Sequence, residues 1–235
     1  MGSMTGTLVN VAAVLVGALI GLLLHKGLPE RIAAAMMTGV GLCVLYIGVD
    51  GCLAGENMLV AVFSIVIGAV IGELLNIDGA VKRLGDAVEK RFQKEGGKGP
   101  SLAQGFVSAS LLFCVGTMAI VGPLQSGLTG NHETQFVKAV LDAISAVVFT
   151  ATLGAGVFFS AASVLIYQGA ITLLAHAVEP YLTTAVVAEM TCVGSLLIIG
   201  LALNLLNITK IKVANFLPAV VLPCVLCPLF DFILK

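Results

Sequence analysis

Residues 136–176 read FVKAVLDAISAVVFTATLGAGVFFSAASVLIYQGAITLLAH, 41 residues in which Lys138 and Asp142 are the only carboxylate or cationic groups. A helix of that length would reach about 60 Å, twice the ~30 Å hydrocarbon core of a bilayer. Leu153-Gly154-Ala155-Gly156 is the natural turn inside it, so the run is read as two crossings. The rest of the chain agrees with a lipid environment. Of 235 residues, 59% are apolar and 11% are Asp, Glu, Lys or Arg, with mean hydropathy +1.10. A soluble domain carries about 25% charge, and one of this size has too little core to hide so much apolar surface. The expected fold is an all-α polytopic transmembrane bundle in a single domain, with the lipid bilayer as its first partner.

A crossing needs about 20 mostly apolar residues. That ruler places spans at Thr5–Leu24, Ile32–Val49, Met58–Ile77, Leu102 to Gly122-Pro123, the two arms of the opening run, Tyr181–Leu206 and Val213–Leu234. Eight crossings result, or seven or nine if one Gly-rich segment is re-entrant. Met1–Ser3, ahead of Met4, are read as a remnant added in expression and left out of the fold.

Loop charge gives an independent check, because cytoplasmic loops carry excess Lys and Arg. Lys26 and Arg31 follow the first span, Lys82, Arg83, Lys90, Arg91, Lys94 and Lys98 the third, and Lys210 and Lys212 the seventh. Eight crossings put all of these on one side, leaving Lys138 and Lys235 opposite. Both termini are then expected outside the cytoplasm. Within the charged segment 78–101, Val81, Leu84, Val88 and Phe92 fall at helical spacing. They predict an amphipathic helix on the cytoplasmic face, followed by a flexible linker, KEGGKGP (94–100).

Several function classes drop out. A net charge of -1 and the absence of Trp give no basis for nucleic-acid binding. No HExxH, GxSxG or P-loop lysine motif occurs, so the chain is not read as an enzyme and no cofactor is expected. The three His are not spaced as metal ligands. Cys224 and Cys227 form a CxxC without the βαβ context of a redox motif. Pro218, Pro223 and Pro228 instead predict a kinked last span.

Two internal echoes stand out. VGALIGLLL (16–24) matches IGAVIGELL (67–75), each with a GxxxG whose small residues let helices approach closely. CVGTMAIVG (114–122) matches CVGSLLIIG (192–200), in spans four and seven, which run in opposite directions. Inverted repeats are a transporter trait, although Gly, Val, Ile and Leu are common enough here for chance echoes.

GTLVNVAAVLVGALIGLLL (6–24), FCVGTMAIVGPLQSGLTGN (113–131), KAVLDAISAVVFTATLGAGVFFSA (138–161), YQGAITLLA (167–175), EMTCVGSLLIIGLALNLLN (189–207) and ANFLPA (214–219) together resemble the YqgA/YdfK-like family of uncharacterised bacterial inner-membrane proteins. The resemblance covers essentially the whole chain. It implies a multi-pass protein of the bacterial inner membrane and supplies no activity.

Function then rests on polar groups inside the spans, since charge in lipid is costly and marks pathways or pairs. Asp142 lies on a stripe with Gln135, Lys138, Ser145 and Thr152 in the fifth span. Its plainer alternative is a Lys138–Asp142 pair near the interface. Glu189 enters the seventh span and Gln168 sits within the sixth, and for these an interfacial acid and an interhelical hydrogen bond are the plain alternatives. In span four, Gly116, Gly122-Pro123, Gly127 and Gly130 interrupt the apolar run, with Thr117, Gln125 and Ser126 between them. Such breaks free backbone groups for a solute.

The expected function is a secondary transporter of a small solute, with a proton or sodium as coupling ion. Asp142 is the coupling ligand, and Thr117, Gln125, Ser126, Ser145, Gln168 and Glu189 complete the substrate site. The alternative is a non-transporting scaffold or assembly factor whose Gly-rich faces pack against other subunits. A passive channel would need a continuous polar path, which the sparse charge disfavours. Close small-residue faces would also suit a homodimer.

Overall fold

The computed structural model describes residues 2–25, 30–83, 102–115 and 117–233. The expected linker 94–100 and most of the expected amphipathic helix lie outside them; of the latter, residues 77–83 are described, as helix. The helices are α1 (Thr5–His25), α2 (Glu30–Cys52), α3 (Met58–Leu75), α4 (Leu102–Cys114), α5 (Thr117–Thr129), α6 (Glu133–Leu153), α7 (Ser160–Leu173), α8 (Ala175–Val178), α9 (Thr184–Leu205) and α10 (Pro223–Ile233). Longer 3-10 segments cover Gly154–Phe159 and Val213–Val221. No strand occurs among the described residues. The chain is an all-α membrane bundle.

Local chemistry sets several boundaries. The Asn57 side chain accepts from the Leu59 amide at the start of α3, and Asn76 closes α3 in the left-handed region at φ 47°. The Thr183 side chain accepts from the Val186 amide at the start of α9. Such caps satisfy helix-end groups that lipid cannot hydrate.

The distribution of polarity is inverted relative to a soluble protein. Thr7, Asn10, Gln135, Lys138, Asp142, Gln168 and Glu189 are buried, while Leu8, Leu19, Val140, Ile144 and Ile166 face outward. Hydrocarbon surroundings account for both halves of that pattern.

By length and apolarity alone, five helices can cross a membrane, or seven if two bent pairs are each one span. One of the five, Glu133–Leu173, is 41 residues long, and it doubles back. Asn10 of α1 is hydrogen-bonded to both Asp142 and Gln168, which a continuous helix would hold about 39 Å apart. The reversal lies at Gly154, whose φ of 76° and ψ of -162° belong to a region that only glycine enters freely. Gly156, just beyond, rests against the Leu102 carbonyl at the head of α4. Gly154→Ala is expected to cost about 1–3 kcal/mol, read as a lower unfolding midpoint in detergent.

Helix directions extend this count. Gly6, Gly17 and Gly21 of α1 approach Gln135, Ala143 and Val147 of α6 in the same order, so the two helices run parallel. Gly41 and Gly48 of α2 meet Leu206 and Ile199, so α2 and α9 are antiparallel. With α6 and α9 both running as α1 does, an odd number of crossings separates them, and the α7 arm must be one. Dividing the hairpin there adds one crossing to the five, or to the seven if both bent pairs are spans.

The bent pairs are α4 with α5, at 59°, and Val213–Val221 with α10, at 47°. The first bend falls between Cys114 and Thr117, the stretch that holds Gly116, the first of the interruptions expected in span four; Pro123 sits inside α5. Val115 at this break packs over Gly194 of α9, so the two CVG segments that echo in sequence touch in space. The second break precedes Pro223, and the last span is bent as its three prolines predict.

Both GxxxG motifs are spent inside the chain. Gly17 and Gly21 lie against the α6 backbone, and Gly68 and Gly72 against Ala219 and Asn215. Their close approach is made to helices of the same chain. A shared apolar core of Val14, Val44, Phe113, Phe149, Leu197 and Leu201 joins the helices.

Candidate functional site

Four helices bring a chain of polar side chains together within the bundle. Asp142, in the third turn of α6, is contacted by the Lys138 ammonium one turn earlier, at 2.9 Å from Oδ1 and 2.8 Å from Oδ2. The i, i+4 spacing places both on one face, and that face points inward: Lys138 and Asp142 are 5% and 6% exposed. Asn10 Nδ2 of α1 donates to Asp142 Oδ2 at 3.0 Å and to Gln168 Oε1 of α7 at 3.1 Å. One helical turn away, Gln135 Nε2 donates to Thr7 Oγ1 at 3.2 Å. Thr7 Oγ1 also lies 3.2 Å from Thr172 Oγ1, and Thr172 donates to the Pro123 carbonyl at 3.3 Å.

The network leaves groups over. Asn10 Oδ1, Gln135 Oε1 and Gln168 Nε2 are buried and have no hydrogen-bond partner among the described residues. Buried polar atoms are nearly always bonded, and in a low-dielectric interior each such atom costs roughly 1–3 kcal/mol. Two acceptors and a donor grouped around a buried ion pair could hold a small polar solute.

The expected site residues separate in three ways. Asp142 and Gln168 are joined, with Lys138 and Gln135 of the same stripe. Ser126 lies beside them on α5, its Oγ 3.0 Å from His132 Nδ1 and 3.4 Å from the Asn131 carbonyl. Ser145 is half-buried further along α6. Gln125 is exposed at the bundle end, where Thr134 Oγ1 donates to its Oε1 at 2.9 Å; it tethers the 130–133 turn and is not part of the cluster. The Thr117 side chain lies outside the described residues.

Glu189 departs from the expected pocket altogether. Its Oε1 accepts from the Glu56 and Asn57 amides, each at 2.7 Å, so it serves the α2–α3 loop. Its position a turn and a half into α9 left open which neighbour it would meet.

Asn10, Thr7 and Thr172 were missed. Asn10 is the one amide in the otherwise apolar 8–24 run, and that isolation was the available signal. Thr7 and Thr172 carry none, because hydroxyls are common and cheap in membrane helices.

A cavity of about 330 Å³ opens at the opposite, Lys-rich end, between α4, the end of α9 and residues 207–214. Lys82, Lys210 and Lys212 line it with Asp78, Asn204 and Ser108. Asn204 shapes its rim, bonding Ile211 through both backbone groups at 2.7 and 2.8 Å. Lys212 pairs with Glu73 at 2.8 Å, and this carboxylate holds the ammonium above the ordinary lysine range. All six cysteines are free thiols, and no three His, Cys, Asp or Glu side chains among the described residues converge as a metal centre.

A family model described as a protein of unknown function, DUF554, matches residues 5–228. The chain is 29% identical over 224 residues to the uncharacterized membrane protein YdfK of Bacillus subtilis (strain 168), covering 94% of each. It is 31% identical over 219 residues to the uncharacterized protein YqgA of Escherichia coli (strain K12), covering 92% of this chain and 93% of that one. No solved structure matches.

Proposed function

The chain belongs to DUF554, a family of proteins of unknown function, and from that premise we propose that it is a proton-coupled secondary transporter of a small polar solute. One observation carries this reading: the buried Lys138–Asp142 pair, bridged by Asn10 to Gln168, with three amide atoms unpartnered around it. A buried ion pair seldom stabilises a fold more than apolar residues of the same size would. Within a membrane such groups are retained chiefly for transport or proton movement.

The arrangement favours a proton over sodium. The Lys138 ammonium already contacts both Asp142 oxygens, so a second cation there would meet a like charge. Protonation of Asp142 instead cancels its attraction for Lys138 and leaves Asn10 free to re-pair. The seam of α1 with α6 and α7 is then the element whose packing changes between outward and inward states. Gln135, Gln168, Asn10 and Ser126 offer hydrogen bonds to the solute, and the cavity at the Lys-rich end supplies the cytoplasmic entrance. The excess of Lys and Arg in these loops supports reading that end as cytoplasmic, with both termini outside.

The scaffold reading loses its main support, because the GxxxG faces are occupied within the chain. A homodimer would have to use other faces.

The test begins with a stability screen, since a compound that raises the melting temperature binds the native state preferentially. Hits are then imposed as gradients on proteoliposomes containing a pH-sensitive dye. Wild type should move protons with the solute, and Asp142→Asn should fall to the level of empty liposomes. Undiminished proton movement in that variant would remove Asp142 from the mechanism.

A further inference from the structure

Glu189, released from the pocket at Asp142, heads a second site. A groove of about 530 Å³ runs along α3 and α9, walled by Met58, Ala61, Val62, Ile65, Val66 and Leu196 and closed at one end by Cys52, Gly55, Cys192 and Glu189. Val62, Val66 and Leu196 are exposed on the lipid-facing surface, so the groove opens sideways into hydrocarbon. Its closed end lies about 8 Å inside the start of α9, by helix rise.

Three features give that end a definite chemistry. Glu189 is 3% exposed, and while Oε1 is held by two loop amides, Oε2 has no hydrogen-bond partner among the described residues. The backbone approaches it closely only because residue 55 is glycine: a Cβ there would stand 3.4 Å from Oε2 and 2.7 Å from Cys192 Sγ. Glu56 also lines the groove, and among the described residues no Lys, Arg or His does. A buried carboxylate oxygen calls for a donor or a positive charge, while the walls call for a hydrocarbon chain.

We infer that this groove binds a single-chain cationic amphiphile from the membrane, its amine donating to Glu189 Oε2 and its alkyl chain lying along α3. The site is separate from the Asp142 cluster and does not depend on the transport reading.

Dodecylamine and dodecanol, equal in chain length, are the probes, added to the full chain in nanodiscs and followed by melting temperature and native mass spectrometry. Dodecylamine should bind saturably and raise the melting temperature, and dodecanol should bind about tenfold or more weakly, the worth of a charge-assisted hydrogen bond. Glu189→Gln should erase the difference between the two. Gln retains an acceptor for the loop amides; should that variant still fail to fold, Val62→Trp narrows the groove from its lipid side and should weaken dodecylamine without touching the carboxylate. Equal binding of amine and alcohol to wild type, or undiminished amine binding in Glu189→Gln or Val62→Trp, would overturn the assignment.

Discussion

Replacing Asp142 by Ala is expected to lower the unfolding free energy by about 3–5 kcal/mol, the cost of leaving a buried charge without its partner. The Lys138 ammonium would lose both oxygens it contacts, and the Asn10 amide one of its two acceptors. Neither group can turn to water, since both residues are buried. The double variant Lys138→Met/Asp142→Leu should recover most of that loss, returning to within about 1–2 kcal/mol of wild type, because apolar residues of similar volume replace such pairs at little cost. Denaturant unfolding in mixed micelles reads both numbers. Proton movement read beside it separates the roles: the double variant should be folded and inactive. A single variant that costs less than about 1 kcal/mol would mean that Lys138 reaches water, and the buried site would not exist as described.

Gly17→Ala is expected to be a strongly damaging conservative change in the seam between α1 and α6. Its new methyl group would overlap the Ala143 carbonyl, a backbone atom that cannot swing away, and at Gly21 the Val147 carbonyl is in the same position. Overpacking of this kind costs about 1–3 kcal/mol and at times more. Gly39→Ala is the matched control, since nothing lies within 4 Å of the added carbon. There the better helix propensity of Ala should leave stability unchanged or raised by up to about 1 kcal/mol. Equal behaviour of the two variants would show that α1 and α6 do not approach as closely at this seam as described. The crossing count would then lose the direction argument that divides the hairpin at Gly154.

The clearest sequence signals were those that lipid enforces locally. Each crossing must satisfy its own backbone within one segment, so apolar length marked the five helices long enough to cross a membrane. A 41-residue apolar run announced a reversal, and Gly154 was the residue able to make it. The three prolines announced a kink in the last span in the same way, and it falls before Pro223. Span four was read less well. Four interruptions were named there, Gly116, Gly122-Pro123, Gly127 and Gly130, yet the helix passes through Pro123 and the bend lies between Cys114 and Thr117, where Val115 finds room over Gly194. That room is provided by another helix, and α4 and α5 do not encode it.

Partner choice followed the same division. Asp142 stood out as a charge in an apolar run, and Lys138 at i+4 spacing followed from the helix itself. Asn10, 132 residues away, closes the cluster, and Glu189 turns to a loop instead. The sequence by itself determined a polytopic helical membrane protein, its hairpin and the residues lipid cannot leave unpaired. The tertiary structure alone decided which of them meet, because helix pairing depends on backbone approach at small residues such as Gly17 and Gly72 and on the side-chain shapes opposite them, neither of which has a period along the chain.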